Sequence, residues 1–212
     1  MANPSINSDW AYLQKYQQEN TALPSPLPSE NRIVFIGDSI TEFWSKEQPD
    51  FFSRKEYINR GISGQTSPQL LLRFRADVIQ LKPRAVVILA GGNDIAGNTG
   101  KSTLKMIMDN IVSMVELAKA NKIEVLLCSV LPSNYFYWNP TEKPAETIIA
   151  LNQLIESYAT DNDILFVNYY DALVDDKKGL PLDYSEDNVH PNKKGYLVME
   201  PIITNAISTL AF

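Results

Sequence analysis

The 212-residue chain carries a net charge of −6, and 44% of its residues are hydrophobic, values that are ordinary for a globular domain. Lysine and arginine form no cluster longer than the pairs at 177–178 and 193–194, so we expect no nucleic-acid partner. One cysteine and one histidine exclude an internal disulfide and the common zinc sites, which need several such ligands. We therefore predict no metal ion.

The length suits a single domain over residues 1–212, in which residues 1–30 form an N-terminal helix and a linker packed on the body. No apolar run approaches the roughly 18 residues of a membrane helix, so we expect no integral membrane segment. The sequence as it stands lacks a signal peptide, which predicts a soluble, cytoplasmic protein. If a signal peptide has been removed, the protein is secreted or periplasmic. The oligomeric state stays open.

The N-terminal helix is predicted over residues 8–19. Trp10, Leu13 and Tyr16 recur there at three-residue spacing after a serine cap, which indicates an aromatic face packed on the rest of the chain. Three prolines between Leu23 and Glu30 then end the helix.

The stretch IVFIGDSIT at 33–41 predicts a buried strand that ends at Gly37. Ser39 then lies at the carboxyl end of this strand. In open α/β sheets that edge is where ligands bind, because side chains leaving it project between the strand ends and the helix N-termini. Ser39 is therefore a candidate nucleophile.

A second strand over residues 57–60 ends at Gly61, and the loop GISGQTSP follows it. Ser67 is predicted as the N-cap and Pro68 as the first residue of a helix that continues to Leu81. The loop, which contains Gly64, thus ends at a helix N-terminus, where exposed N–H groups suit a bound or developing negative charge.

The most continuous apolar strand, at 85–90, leads directly into Gly91-Gly92-Asn93-Asp94. This places Asn93 on the same sheet edge as Ser39. Asp38 and Asp94 are expected to be structural, accepting backbone N–H bonds that fix their loops. A carboxylate beside a site that stabilises a developing negative charge would oppose that charge.

The alternation of strands and helices continues to the end of the chain. We predict helices at 102–121 and 145–160 and strands at 124–131 and 164–168, with Cys128 as a buried strand residue without chemistry. Repeated strand–helix units with apolar strands predict an α/β fold, with a parallel sheet covered by helices on both faces.

A long loop at 132–144 carries four successive aromatic residues, Tyr135, Phe136, Tyr137 and Trp138. Two interpretations stay open: Tyr135, Tyr137 and Trp138 line a substrate pocket, or the aromatic residues cover the core.

The last segment places Asp187 and His190 three residues apart on a loop, and Pro191 prevents a helix from including the histidine. A final helix follows, with Pro201 as a predicted kink.

These positions together supply what acyl transfer by a serine requires. Ser39 would attack, His190 would take its proton, and Asp187 would orient the imidazole. The backbone N–H groups of Ser39 and Gly64 and the side-chain amide of Asn93 would form the oxyanion hole.

Four blocks carry a more specific resemblance: GDSIT at 37–41, GISGQTS at 61–67, GGND at 91–94 and DNVHP at 187–191. In this order they resemble the sequence blocks of the SGNH, or GDSL-type, esterase and acylhydrolase family. The four residues that name the family match Ser39, Gly64, Asn93 and His190. There is no GxSxG elbow of the α/β-hydrolase kind.

The resemblance implies a three-layer α/β/α sandwich with a flavodoxin-like parallel sheet of about five strands. It also implies hydrolysis of esters or thioesters through an acyl-enzyme, without a cofactor. The chain is most similar to the single-domain branch, which includes platelet-activating-factor acetylhydrolase subunits, carbohydrate acetylesterases and lysophospholipase/thioesterase-type enzymes.

We expect a small-molecule ester as the partner, because no long apolar lid or membrane-binding amphipathic segment is visible. A short acyl group, above all acetyl, is favoured, and an acetylated carbohydrate and a small aliphatic ester stay open as substrates. The alternatives are a lysophospholipase/thioesterase-type activity on longer chains and a non-catalytic ligand-binding domain of the same fold.

Overall fold

The computed structural model describes residues 9–211. Within them, five strands form one parallel sheet with the order β2-β1-β3-β4-β5. The predicted parallel sheet of about five strands is thereby confirmed. The strands are β1 (Ile33–Gly37), β2 (Tyr57–Gly61), β3 (Ala85–Ile88), β4 (Glu124–Cys128) and β5 (Leu165–Val167).

Helices cover both faces of this sheet. They are α1 (Gln17–Ala22), α2 (Ser39–Glu47), α3 (Ser67–Asp77), α4 (Gly92–Ile95), α5 (Leu104–Ala120), α6 (Ala145–Asp161), α7 (Tyr170–Leu173) and α8 (Lys193–Ser208). Two short 3₁₀ helices, Phe51–Ser53 and Ile79–Leu81, complete the described elements.

Successive strand residues point to opposite faces of the sheet, and each face has its own hydrophobic cluster. On one face, Val34 and Ile36 of β1 pack with buried residues of α3, α5 and α6. On the other face, Ile33 and Phe35 pack with buried residues of α2, α7 and α8. The result is the three-layer α/β/α arrangement that the resemblance implied.

The strand register determines which loops meet at the carboxyl edge. Gly37 at the end of β1 pairs with Gly61 at the end of β2, and Ile36 pairs with Ile88 of β3. The segments that carry Ser39 and Asn93 therefore leave the sheet side by side at one edge, together with the loop that follows Gly61.

Asp38 is the N-cap of α2, and its carboxylate accepts the Ile40 N–H at 2.9 Å. This cap places Ser39 in the first turn of the helix, where N–H groups have no partner within the helix. Asp38 is almost fully buried. Burial raises the pKa of Asp38 from its ordinary 3.8 to about 6, against the opposing effect of the Ile40 N–H bond.

The N-terminal segment differs from the prediction. Ser8 lies outside the described residues, residues 10–16 consist mainly of turns, and the helix α1 begins only at Gln17. Trp10 is 47% exposed and Leu13 46% exposed, so the prediction that these two side chains pack on the rest of the chain is wrong. Tyr16 is buried, as predicted, and its hydroxyl donates to the Gly61 carbonyl.

Side chains of the Gly61 loop and α3 explain the missing helix. The carbonyl groups of Trp10 and Ala11 accept hydrogen bonds from the side chains of Gln69 and Gln65, at 2.7 and 2.8 Å. These carbonyls are therefore bound by groups distant in sequence and not by helix N–H groups.

Smaller differences concern the ends of elements: the helix predicted to continue to Leu81 ends at Asp77, and the strand predicted at 85–90 ends at Ile88. The N-cap of α3 is Thr66 and not Ser67, because Thr66 forms a capping box with Gln69. The strand predicted at 124–131 ends at Cys128. Pro201 lies inside α8, as predicted, and the helix continues on both sides of it.

The buried Arg73 joins the end of β1, the loop after Gly61 and its own helix α3 near the carboxyl edge of the sheet. Its Nη2 donates to the Gly37 carbonyl at 3.0 Å, its Nε to Gln65 Oε1 at 2.5 Å, and its Nη1 to Asp77 Oδ2 at 2.9 Å. The side chain is fully buried, and each nitrogen of the guanidinium has a separate acceptor.

We expect Arg73→Ala to lower the free energy of unfolding by about 3–5 kcal/mol, because it leaves the buried Asp77 carboxylate without its cationic partner. Arg73→Lys should recover only part of this loss, since one ammonium group cannot reach all three acceptors. Urea denaturation measures both variants. Arg75→Ala, on the exposed side of the same helix, is the control, and an equal effect of Arg73→Ala and Arg75→Ala would contradict the assignment.

The raised pKa of Asp38 predicts a pH-dependent stability. Because the folded-state pKa lies above the unfolded-state value, the stabilising contribution is fully present below about pH 3.8 and is lost as the pH rises through about 6. Asp38→Asn cannot ionise, so its free energy of unfolding should decrease less than that of the wild type over this interval. Urea denaturation at several pH values measures both, and parallel pH profiles would contradict the prediction.

Candidate active site

Ser39 and His190 meet at the carboxyl edge of the sheet. Their side chains are joined by a hydrogen bond between Ser39 Oγ and His190 Nε2 at 2.9 Å, across 151 positions of sequence. Ser39 is buried, and the ring of Phe43 packs against the imidazole with the ring centroids 5.3 Å apart. The structure thus brings together the predicted nucleophile and the predicted base.

Asp187 holds His190 through both of its carboxylate oxygens. Oδ2 lies 2.7 Å from His190 Nδ1, while Oδ1 accepts the backbone N–H groups of Val189 and His190 at 3.0 and 2.8 Å. Burial acts to raise the pKa of Asp187, but the hydrogen bonds from His190 and Val189 outweigh it and lower that pKa. A carboxylate at Nδ1 selects the tautomer whose Nε2 accepts a proton from Ser39.

The residues predicted for the oxyanion hole also gather near this edge. Gly64 has φ of +78°, a conformation that favours glycine. Two residues before Asn93, Gly91 has φ of +122°, and a Cβ at this position would lie 2.6 Å from Leu151 Cδ2. Asn93 lines the same cavity as Ser39.

The amide of Asn93 is fully engaged in this structure. Its Nδ2 donates to the Gln65 carbonyl at 3.0 Å and to Asp38 Oδ2 at 3.2 Å, while its Oδ1 accepts from Asn98 Nδ2 at 2.8 Å. The bond to Asp38 is the longer of the two donated bonds. Donation to an oxyanion therefore requires one of them to be exchanged.

The cavity beside Ser39 is small and mostly apolar. It accommodates water-sized groups over about 20 Å³, which corresponds to roughly one or two such groups. Its walls include the side chains of Val130, Phe136, Ile148 and Val189.

The aromatic loop is divided between the cavity and the surface. Trp138 lines the cavity, and its ring centroid lies 6.5 Å from that of His190. Tyr135 and Tyr137 are 42% and 56% exposed and do not line the cavity. Phe136 is buried, stacks on Trp138 and lines the cavity, so the loop both contributes to the core and faces the site.

Asp94 and Cys128 have the places that the sequence indicated. Asp94 accepts the N–H and the hydroxyl of Ser67 and so joins the third block to the start of α3; burial raises its pKa, against these hydrogen bonds. Cys128 is buried in β4, and burial raises the pKa of its thiol to about 12. Neither touches the Ser39–His190 pair.

Sequence reasoning did not identify Asn98, which bonds both Asn93 and Gly64. Nothing in the sequence distinguishes this asparagine from an ordinary turn residue after Gly97.

Within residues 9–211, no group of three or more His, Cys, Asp or Glu side chains is arranged to hold a metal ion. None of the helices in that range combines the length and apolar character needed to cross a membrane.

Comparison with known proteins gives similar solved structures. A putative acylhydrolase from Bacteroides fragilis is 52% identical, with a TM-score of 0.93, over 95% of this chain and 98% of that one. By sequence, an acetylxylan esterase from Geobacillus stearothermophilus is 26% identical over an alignment that covers 82% of this chain and 92% of that protein.

Other matches are partial. The esterase TesA of Pseudomonas aeruginosa is 40% identical over 79 residues, or 37% of this chain. The chain spans only 38% of the length of TesA and 48% of that of another curated relative. The model of the GDSL-like lipase/acylhydrolase family matches residues 35–198, which include all the site residues above. The chain therefore belongs to the GDSL-like lipase/acylhydrolase family.

Proposed function

We propose that this protein is a serine ester hydrolase that cleaves short-chain acyl esters, chiefly acetyl esters, through an acyl-enzyme. The observation that carries the proposal is the continuous hydrogen-bonded series from Ser39 Oγ to His190 Nε2 and from His190 Nδ1 to Asp187 Oδ2. It contains a nucleophile, a base and an orienting carboxylate in the geometry that acyl transfer needs. Esterases among the relatives support the same reaction class.

In the first half of the reaction, Ser39 Oγ attacks the ester carbonyl carbon while its proton passes to His190 Nε2. The carbonyl oxygen becomes an oxyanion, held by the N–H groups of Ser39 and Gly64 and by the amide of Asn93. When the tetrahedral intermediate collapses, the ester C–O bond breaks. His190 gives its proton to the departing alcohol oxygen, and the acyl group remains on Ser39.

In the second half, water attacks the acyl carbon and His190 accepts its proton. Collapse of this second intermediate breaks the bond to Ser39 Oγ, and the proton returns to that oxygen as the carboxylic acid leaves. Asp187 keeps the imidazole in one tautomer throughout and stabilises the imidazolium that forms transiently.

Asn93 contributes by changing one hydrogen bond. As negative charge develops on the substrate oxygen, the N–H that donates to Asp38 at 3.2 Å turns toward the oxyanion, while the bond to the Gln65 carbonyl stays.

The cavity supports a small acyl group. Its volume of about 20 Å³ suits the methyl group of an acetyl ester, and its walls of Val130, Phe136 and Ile148 are apolar. The alcohol part would then lie toward the exposed face of the loop, where Tyr135, Tyr137 and Trp138 offer aromatic surfaces. An acetylated carbohydrate is a substrate class that fits both the small cavity and the aromatic surfaces of the loop. The acetylxylan esterase among the relatives supports this class.

We expect Ser39→Ala, His190→Ala and the double variant to hydrolyse p-nitrophenyl acetate at similar residual rates, because removing either partner already abolishes activation of the hydroxyl. Steady-state kinetics measure the rates, and a fluorophosphonate probe should label the wild type but not Ser39→Ala. Glu186→Gln, an exposed neighbour of Asp187, is the control and should retain activity. Losses that multiply in the double variant would contradict the assignment, and a folded wild type without turnover would favour a binding domain.

The acyl preference has its own test. Across p-nitrophenyl acetate, butyrate and octanoate, kcat/KM should fall steeply with chain length, because the cavity accommodates only one or two groups of the size of water or methyl. Val130→Ala enlarges the cavity and should raise the butyrate rate relative to the acetate rate. A wild type that prefers octanoate would contradict the proposed acetyl specificity and support a lysophospholipase/thioesterase-type activity.

A further inference from the structure

Asn98 connects the aromatic loop to two residues of the proposed oxyanion hole. Its Oδ1 accepts the indole N–H of Trp138 at 3.0 Å. Its Nδ2 donates to Asn93 Oδ1 at 2.8 Å and to the Gly64 carbonyl at 3.2 Å. One side-chain amide therefore contacts Gly64, Asn93 and the tryptophan that lines the acyl cavity.

The orientation of the side-chain amides of Asn98 and Asn93 follows from partners that can only donate or only accept a hydrogen bond. An indole N–H can only donate, so the oxygen of Asn98 faces Trp138 and its NH₂ faces the other way. The Gly64 carbonyl can only accept, which requires the same orientation of Asn98. The NH₂ of Asn98 then faces the oxygen of Asn93, so that the NH₂ of Asn93 faces the Gln65 carbonyl and the carboxylate of Asp38, which lines the cavity.

We infer that Asn98, anchored by Trp138, is a positioning residue for the oxyanion hole. The inference rests on the proposed function. It assigns Asn98 the task of keeping the NH₂ of Asn93 directed to the site, since an Asn93 amide rotated by 180° would present a carbonyl oxygen to the developing oxyanion. The bond to the Gly64 carbonyl also restrains a glycine at φ of +78°, a residue type with few steric restraints of its own.

The competing interpretation is that Asn98 only stabilises its turn. Its backbone N–H already donates to the Asn93 carbonyl at 3.1 Å, so the backbone of the turn is bonded without the side chain. Loss of the Asn98 side chain should therefore leave the turn in place and affect the amide of Asn93. The two interpretations differ in whether the rate or the melting temperature changes.

Asn139→Ala is the matched control. Asn139 belongs to the same aromatic loop, and its Nδ2 donates to the Ala96 carbonyl at 3.0 Å, so it joins that loop to the same turn without touching Asn93. We expect Asn98→Ala to lower kcat for p-nitrophenyl acetate on the order of tenfold with little change in KM, less than the 10²–10³ for loss of an oxyanion donor. Asn139→Ala should match it in melting temperature and keep the wild-type kcat. Equal kcat in both variants would overturn the inference.

Trp138→Phe tests the anchor. It keeps an aromatic ring in the cavity wall but removes the N–H that orients Asn98, so kcat should fall in the same direction as in Asn98→Ala and by a smaller factor. In the Asn98→Ala background the same substitution should have no further effect on kcat, because the amide that the indole orients is gone. A further loss of the same size in both backgrounds would overturn the role of Trp138 as an anchor.

A double-mutant cycle with Asn93→Ala asks whether Asn98 acts through Asn93. If it does, Asn93→Ala combined with Asn98→Ala should lose clearly less than the product of the two single losses, since most of the effect of Asn98 has already been removed. A loss equal to the product would mean that Asn98 acts elsewhere and would overturn the inference.

A measurement independent of turnover separates this inference from the proposed function. In ¹H–¹⁵N spectra, the side-chain amide signals of Asn93 are identified by their loss in Asn93→Ala. They should shift and exchange faster with solvent in Asn98→Ala, and stay unchanged in Asn139→Ala. Unchanged Asn93 signals in Asn98→Ala would overturn the inference even if the protein hydrolyses esters, whereas a wild type without ester turnover would refute the proposed function alone.

Discussion

The arrangement of the loops at the carboxyl edge of the sheet depends on the guanidinium of Arg73. Burial lowers the pKa of this arginine, and the buried Asp77 carboxylate acts against that effect, so the charge is retained in the interior. Nη2 of Arg73 donates to the carbonyl of Gly37, directly before the segment that carries Ser39. Its Nε donates to the side chain of Gln65, directly after Gly64. A single planar group therefore links the end of the strand before Ser39 to the loop that contains Gly64.

Several features of this fold can be predicted from short stretches of sequence. The strand that ends at Gly37 and the one that ends at Gly61 were predicted from apolar runs followed by turn residues, and both end where expected. The Asp187–His190 pair was also readable, because Pro191 keeps His190 in a loop beside a carboxylate that is three positions away. The Ser39–His190 contact followed from chemistry, since a hydroxyl nucleophile needs a base and the chain has only one histidine.

What could not be predicted depends on partners far apart in sequence. The spacing of Trp10 and Tyr16 indicated a helix, yet the carbonyl of Trp10 is bound by Gln69, 59 positions away. Likewise Asn98 has the local features of a turn residue, and its contact with Trp138 joins positions 40 apart. Periodicity and capping rules describe near neighbours, so they have no means of identifying such contacts.

The loop that holds Asp187 and His190 has a consequence for how the site is assembled. The carboxylate and the imidazole are bonded to each other within four residues, through side-chain and backbone contacts, so this half of the site is complete on its own. The bond from Ser39 to His190 and the packing of Phe43 against the imidazole join it to the rest of the site, and α8 directly follows the loop. A chain in which the sheet, Ser39 and the loop around Gly64 are formed but α8 is not docked would lack the proposed base. The proposed chemistry therefore depends on the C-terminal helix, whose position determines where the imidazole lies.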